Sequence, residues 1–187
     1  MPLFSSRRER RLWIATLLVL IAIYATLGLA PRLAGLLRQS GLIGISFTLG
    51  LVLTAVAILL HGLRRRAGKT EVFVWVGIAA AYLLLFARIQ LPEERSHLIE
   101  YSLVAVLIFE ALRERKQQGR HVPLPALLAL LISSLLGLVD EGIQALLPNR
   151  VFDPLDLLFN FLAALMAITA SSALSWARNF RRKPPAT

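Results

Sequence analysis

Apolar residues fall along this chain in long runs, separated by short polar punctuation. A helix needs about 20 mostly apolar residues to cross the hydrocarbon core of a bilayer. Six stretches meet or approach that length: 12–30, 42–63, 72–90, 96–113, 124–147 and 155–177. The fourth is interrupted by Glu100 and Glu110. The gaps carry the prolines, glycines and charge clusters that break helices: Pro31 to Gly41, Arg64 to Lys69, Pro92 to Arg95, Arg113 to Arg120 and Pro148 to Pro154. Every gap is short. The pattern therefore predicts an all-α polytopic bundle of about six transmembrane helices, with no inserted soluble domain and no internal repeat. The last residues, RRKPPAT, are expected to fray.

Composition strengthens this picture. The chain is 57% hydrophobic with a mean hydropathy of +0.67, against roughly 45–50% apolar content in a soluble domain. It has no cysteine, which excludes disulfides and thiolate metal sites. A net charge of +10 would suit a nucleic-acid partner, but the placement of the charge argues against one. The N-terminus (Arg7, Arg8, Arg10, Arg11), the second gap (Arg64, Arg65, Arg66, Lys69), the fourth gap (Arg113, Arg115, Lys116, Arg120) and the C-terminus (Arg178, Arg181, Arg182, Lys183) hold 16 of the 21 basic residues. The alternate regions hold only Arg32, Arg38, Arg88, Arg95 and Arg150. By the positive-inside rule both termini are expected in the cytoplasm, across the cytoplasmic (inner) membrane. Trp13, Trp75 and Trp176 fall at the inner ends of their runs, where indole rings favour the interface. The first run, Leu12 to Ala30, is longer than a signal-peptide core of roughly 7–15 residues. It is expected to be an uncleaved span.

With that topology the acidic and amide residues gather on one side. Glu93, Glu94, His97 and Glu100 lie at the outer start of the fourth run. Asp140, Glu141 and Gln144 lie at the outer end of the fifth. Arg150, Asp153, Asp156 and Asn160 lie in the last outer loop and the start of the sixth. Helical spacing puts His97, Glu100 and Tyr101 on one face, Asp140 and Gln144 on another, and Asp156 with Asn160 on a third. Beneath them stand Ser133 and Gly137, and Ala163, Ala167 and Ser171. Small residues let helices approach closely, so the three polar faces are expected to converge on an outward-facing pocket. Ionisable groups inside membrane segments are functional candidates by default.

The order of these residues resembles the VanZ-like family of bacterial integral membrane proteins. The resemblance rests on His97-x3-Tyr101, Glu141-x2-Gln144, Pro148-x-Arg150 and Asp153-x2-Asp156-x3-Asn160. It covers about 72–177, a four-helix region. Residues 1–71 would be a basic segment plus two transmembrane helices added to it, and 178–187 a basic cytoplasmic tail. Two departures stand out. Glu93-Glu94-Arg95-Ser96 occupies the place of the family's Asp-Lys pair, and Ala163 and Ala164 stand where glycine is usual. The resemblance implies a cell-envelope setting, with glycopeptide tolerance in at least one relative. It supplies no reaction, and resistance is not carried over.

Each candidate has a bland counterpart. Asp140 and Glu141 form an acid/base or cation-binding pair, in which like charges favour holding one proton, or a polar helix end in water. His97 with Glu100 has metal-ligand spacing, yet a zinc site normally needs more nitrogen or thiolate ligands, so a titrating or hydrogen-bonding His is favoured. No metal and no cofactor are assigned. Arg150 clamps a phosphate or carboxylate, or pairs with Asp153 or Asp156. Asp156 and Asn160 bind ligand or join helices. Glu110 is expected to be a paired or snorkelling residue. The motifs HExxH, GxSxG and Walker A are absent.

The expected function is binding or handling of a lipid-linked or anionic envelope ligand by His97, Glu100, Tyr101, Glu141, Gln144, Arg150, Asp153, Asp156 and Asn160. Membrane lipids, and a lipid-linked cell-wall intermediate in particular, are the expected partners, with no nucleic acid. The alternative is a membrane-embedded hydrolase or transferase on a lipid substrate, with Glu141, Asp140 and His97 as catalytic candidates. A proton-coupled transporter is disfavoured because the inner halves of the runs are almost purely apolar.

Overall fold

The computed structural model describes residues 3–27, 30–42, 44–45, 49, 68–88, 92–147 and 152–182. Among them are six helices and no strand: α1 (Arg7–Thr26), α2 (Ala30–Gln39), α3 (Lys69–Arg88), α4 (Pro92–Gln117), α5 (Pro125–Ala145) and α6 (Pro154–Arg182). The described residues are all-α, as the pattern of apolar runs predicts. Most of the run at 42–63 lies outside the described residues.

Local chemistry explains the helix ends. Ser6 caps α1, its Oγ accepting the Glu9 N–H at 3.0 Å, which satisfies one of the helix's orphan donors. The segment Pro31 to Gly41, expected as a gap, is instead mostly the ten-residue α2. Pro31 sits in its first turn, where the missing N–H is not needed. At its far end Gly41 adopts φ +69, and the Gly41 and Leu42 amides turn back to the Arg38 and Leu37 carbonyls at 3.1 and 2.8 Å. That is a left-handed glycine closure. Ten residues rise only about 15 Å, too short to cross a bilayer. Helix α4 starts at Pro92 and runs to Gln117, beyond both ends of the expected 96–113. Gly119, at φ +80, closes it by the same device, with Arg120 N–H on Arg115 O at 3.2 Å.

The chain divides into two compact units. The first comprises residues 1–30 and 93–169, and so contains α1, nearly all of α4, α5 and most of α6. Its core holds Ile23 of α1, Val104, Ala105, Ile108 and Phe109 of α4, Ala129 of α5 and Ala164, Ala167 and Ile168 of α6. The second unit comprises 31–92 and 170–187. Within it Arg178 Nε of α6 pairs with Glu71 Oε1 of α3 at 3.0 Å.

Beside that apolar core, α5 and α6 turn apolar side chains outward and bury polar ones. Along α5, Ser133, Asp140, Glu141 and Gln144 are buried, while Leu127, Leu131, Leu135, Leu138 and Val139 are exposed. Along α6, Asn160 is buried while Leu158, Phe161 and Leu165 are exposed. A helix on a water-soluble domain shows the reverse arrangement. Among the described residues, Pro125–Ala145 and Pro154–Asn179 are long and apolar enough to cross a membrane, and only 28% of each apolar stretch is buried.

Candidate functional site

The site candidates described by the structure lie on α4, α5 and α6 in the first unit. The stripe Ser133, Gly137, Asp140, Gln144 runs up one face of α5 and is buried throughout. Opposite it, α6 presents Asn160, then Ala163, Ala164 and Ala167, also buried. Contact occurs at Gly137: a Cβ there would lie 3.1 Å from Asn160 Cβ and 3.2 Å from its Nδ2. The hydrogen lets α6 bring its amide against the α5 backbone. One turn further along α5, Glu141 meets the residue just before α6. Glu141 Oε2 accepts the Asp153 backbone N–H at 3.3 Å. Gly137 against Asn160, and Glu141 against Asp153, is an antiparallel register.

Glu141 is fully buried, and its other oxygen accepts Gln144 Nε2 at 3.2 Å. One carboxylate thus ties its own helix to the segment that starts α6. Asp153 contributes in a second way. Its Oδ1 accepts Leu155 N–H at 2.8 Å, capping α6 just before Pro154, so its carboxylate serves the helix end. Asp156 follows in the first turn, where a negative charge suits the helix dipole.

The second group is aromatic. Tyr101 of α4 is fully buried and donates its hydroxyl to Leu136 O of α5 at 3.1 Å. Tyr24 of α1 donates to the same carbonyl at 3.4 Å. Leu136 lies one helical turn before Asp140, and the Asp140 carboxylate is within electrostatic reach of both phenols. Ser102 of α4 donates to Ala163 O of α6 at 3.4 Å. Four helices therefore meet around the α5 stripe.

Of the sequence candidates, the structure brings Glu141, Gln144 and Asp153 together by hydrogen bonds. It sets Tyr101 beside Asp140, and Asn160 against Gly137. Glu100 and Asp156 are half-buried on α4 and α6. The His97 side chain and Arg150 lie outside the described residues. Among the described residues no group of three or more His, Asp or Glu side chains is arranged to hold a metal ion.

A family model, VanZ/LLP1, matches residues 47–175. The chain belongs to the VanZ/LLP1 family. The match includes every candidate residue named above except Tyr24, and it begins inside the run at 42–63. No curated protein and no solved structure matches the chain. Membership of the VanZ/LLP1 family, with the two membrane-capable helices, makes this a membrane-associated protein of the cell envelope.

Sequence reasoning missed two features. Tyr24 is one, and nothing in its local sequence marks it. The other lies at the opposite end of α1 and α4. Glu9, fully buried, pairs with Arg115 at 2.8 Å and also accepts from the Ser5 N–H and hydroxyl. Glu114 accepts Ser6 Oγ at 2.8 Å and Arg8 at 3.0 Å. Glu110 bridges Arg113 at 2.9 Å and Arg8 at 3.1 Å, the paired role expected of it. Burial alone would raise the Glu9 carboxyl, but Ser5 and Arg115 outweigh it and hold it below its ordinary value. The Ser6 hydroxyl, with Gln118 and Arg8, holds Glu114 low against the opposing effect of burial. The Ser6-x-x-Glu9 spacing signals a helix start. The partners on α4, over a hundred residues away, are invisible locally.

Proposed function

We propose that this VanZ/LLP1 protein crosses the inner membrane six times, with both termini in the cytoplasm, and binds a lipid-linked or anionic envelope ligand at the outer side of the α4–α5–α6 seam. A lipid-linked cell-wall intermediate is the proposed ligand. Arg150 holds its anionic head group. Glu141, Gln144 and Asn160 organise the remainder from within the seam, with His97, Glu100, Tyr101, Asp153 and Asp156 around them. The observation that carries this proposal is the full burial of Asp140, Glu141, Gln144 and Asn160 on helices whose leucines face outward. Carboxylates and amides in such a setting are expensive, and helix packing alone would be served by alanine.

Separate alanine replacements of Glu141, Arg150 and Asp156, expressed at matched levels, test it in cells. Each is expected to change susceptibility to drugs that act on the envelope. Wild-type susceptibility in all three would rule out a site there.

A second proposal draws on one observation, the buried Asp140 carboxylate one turn beyond Leu136, whose carbonyl accepts from the Tyr101 and Tyr24 phenols. In it the same seam is a membrane-embedded hydrolase or transferase, with Glu141 as base. Release of a cleaved head group from lipid by purified protein, lost in Glu141→Gln, would favour it over binding alone.

A further inference from the structure

Hydroxyls and amides within these helices usually find a partner close by. Ser134 donates to Leu130 O at 2.8 Å, Thr169 to Leu165 O at 2.7 Å and Thr16 to Leu12 O at 2.9 Å, each using the carbonyl one turn back. The buried Gln144 amide donates to Glu141. Two side chains depart from this habit. Ser133 and Asn160 are both fully buried. The Ser133 hydroxyl, and both the oxygen and the nitrogen of the Asn160 amide, have no hydrogen-bond partner among the described residues. Ser133 stands one turn below Gly137 on the α5 face against which Asn160 packs. A pair of residues that served only to glue α5 to α6 would bond across the seam, and these do not.

We propose that the seam at Ser133, Gly137 and Asn160 is a seat for one small uncharged group that both donates and accepts hydrogen bonds. The chemistry follows from the amide. A cation would satisfy Oδ1 and meet the Nδ2 hydrogens, and an anion would do the reverse. A neutral hydroxyl, amide or water satisfies both atoms at once. The close approach at Gly137 limits the guest to a few atoms. Asn160 lies six residues into α6, about 9 Å along its axis. The seat therefore takes an inserted part of a ligand and lies apart from the mouth where the anionic head would rest. One source of such a group is the proposed envelope ligand, and to that extent the inference rests on the functional proposal. The other source is water entering the seam, which requires no ligand.

Solid-state NMR of the full chain in phosphatidylethanolamine–phosphatidylglycerol vesicles separates these outcomes. With ¹⁵N-asparagine there are three side-chain amides to assign, and Asn160→Ala identifies one by its loss. Magnetisation transferred from water to the Asn160 amide identifies water as the guest. Transfer from the protons of a bound lipid, with loss of the water signal, identifies the ligand's own group. An Asn160 amide that receives neither overturns the seat. A water signal in protein that retains no lipid leaves the seat standing while removing the ligand, so the two proposals fail separately.

Discussion

Gly137 has no Cβ, and one added there would lie only 3.1 Å from Asn160 Cβ. Adding the methyl should force α5 and α6 apart, because the nearest atom is Asn160 Cβ, which is fixed to its backbone. Overpacking of this kind costs about 1–3 kcal/mol. Gly137→Ala should accordingly lower the thermal midpoint in detergent, while Gly142→Ala, where nothing lies within 4 Å of the added carbon, should not. Arg115→Ala is expected to destabilise by about 1–3 kcal/mol, through loss of a partner to a buried carboxylate, and thermal unfolding beside wild type checks it. At this scale the sequence was informative where partners lie on one helix. Spacing alone put Ser133, Gly137, Asp140 and Gln144 on one face. It was silent where partners meet across the fold, as Tyr24 and Tyr101 do on Leu136 O, because periodicity carries no information about which faces touch.

The α1–α4 clamp has a defined pH response. Glu9 and Glu114 are held below the ordinary carboxylate range. The unfolded chain therefore binds more protons than the folded one as the pH falls towards that range. The stabilisation is complete above the ordinary value, roughly pH 4–5, and is lost as the pH drops through the depressed folded values. Thermal midpoints between pH 7 and pH 3 should fall at the acid end, and the Glu9→Gln, Glu114→Gln double variant should show a shallower decline. Equal slopes would remove the clamp as a source of acid sensitivity. Element boundaries show where sequence reasoning misleads. Pro31 and Gly41 read as breakers of a single gap, yet they bracket a helix, since proline suits a first turn and glycine a last one. Charges at Glu93–Arg95 and Arg113–Lys116 suggested ends for α4, but charge does not stop a helix. Pro92 and Gly119 do.

The first unit presents leucine outward and carboxylate inward, the arrangement that a bilayer solvent selects. The run lengths and the 16-to-5 division of basic residues make that class of protein legible without coordinates. The depth at which Asp140 and Asn160 are buried was not legible, because it depends on how α4, α5 and α6 pack. The proposed topology predicts that a fluorescent protein competent only in the cytoplasm will light up when fused to Thr187. Alkaline phosphatase placed between Leu147 and Phe152 should be active outside. The opposite pattern would invert the site's orientation. The most direct measurement is the lipid carried by the purified protein, quantified by native mass spectrometry for wild type, Glu141→Ala and Arg150→Ala. Loss of one charge-assisted hydrogen bond, about 1.5–3 kcal/mol, should cut bound lipid about tenfold or more in each variant. Equal lipid in all three proteins would contradict a ligand site in the seam.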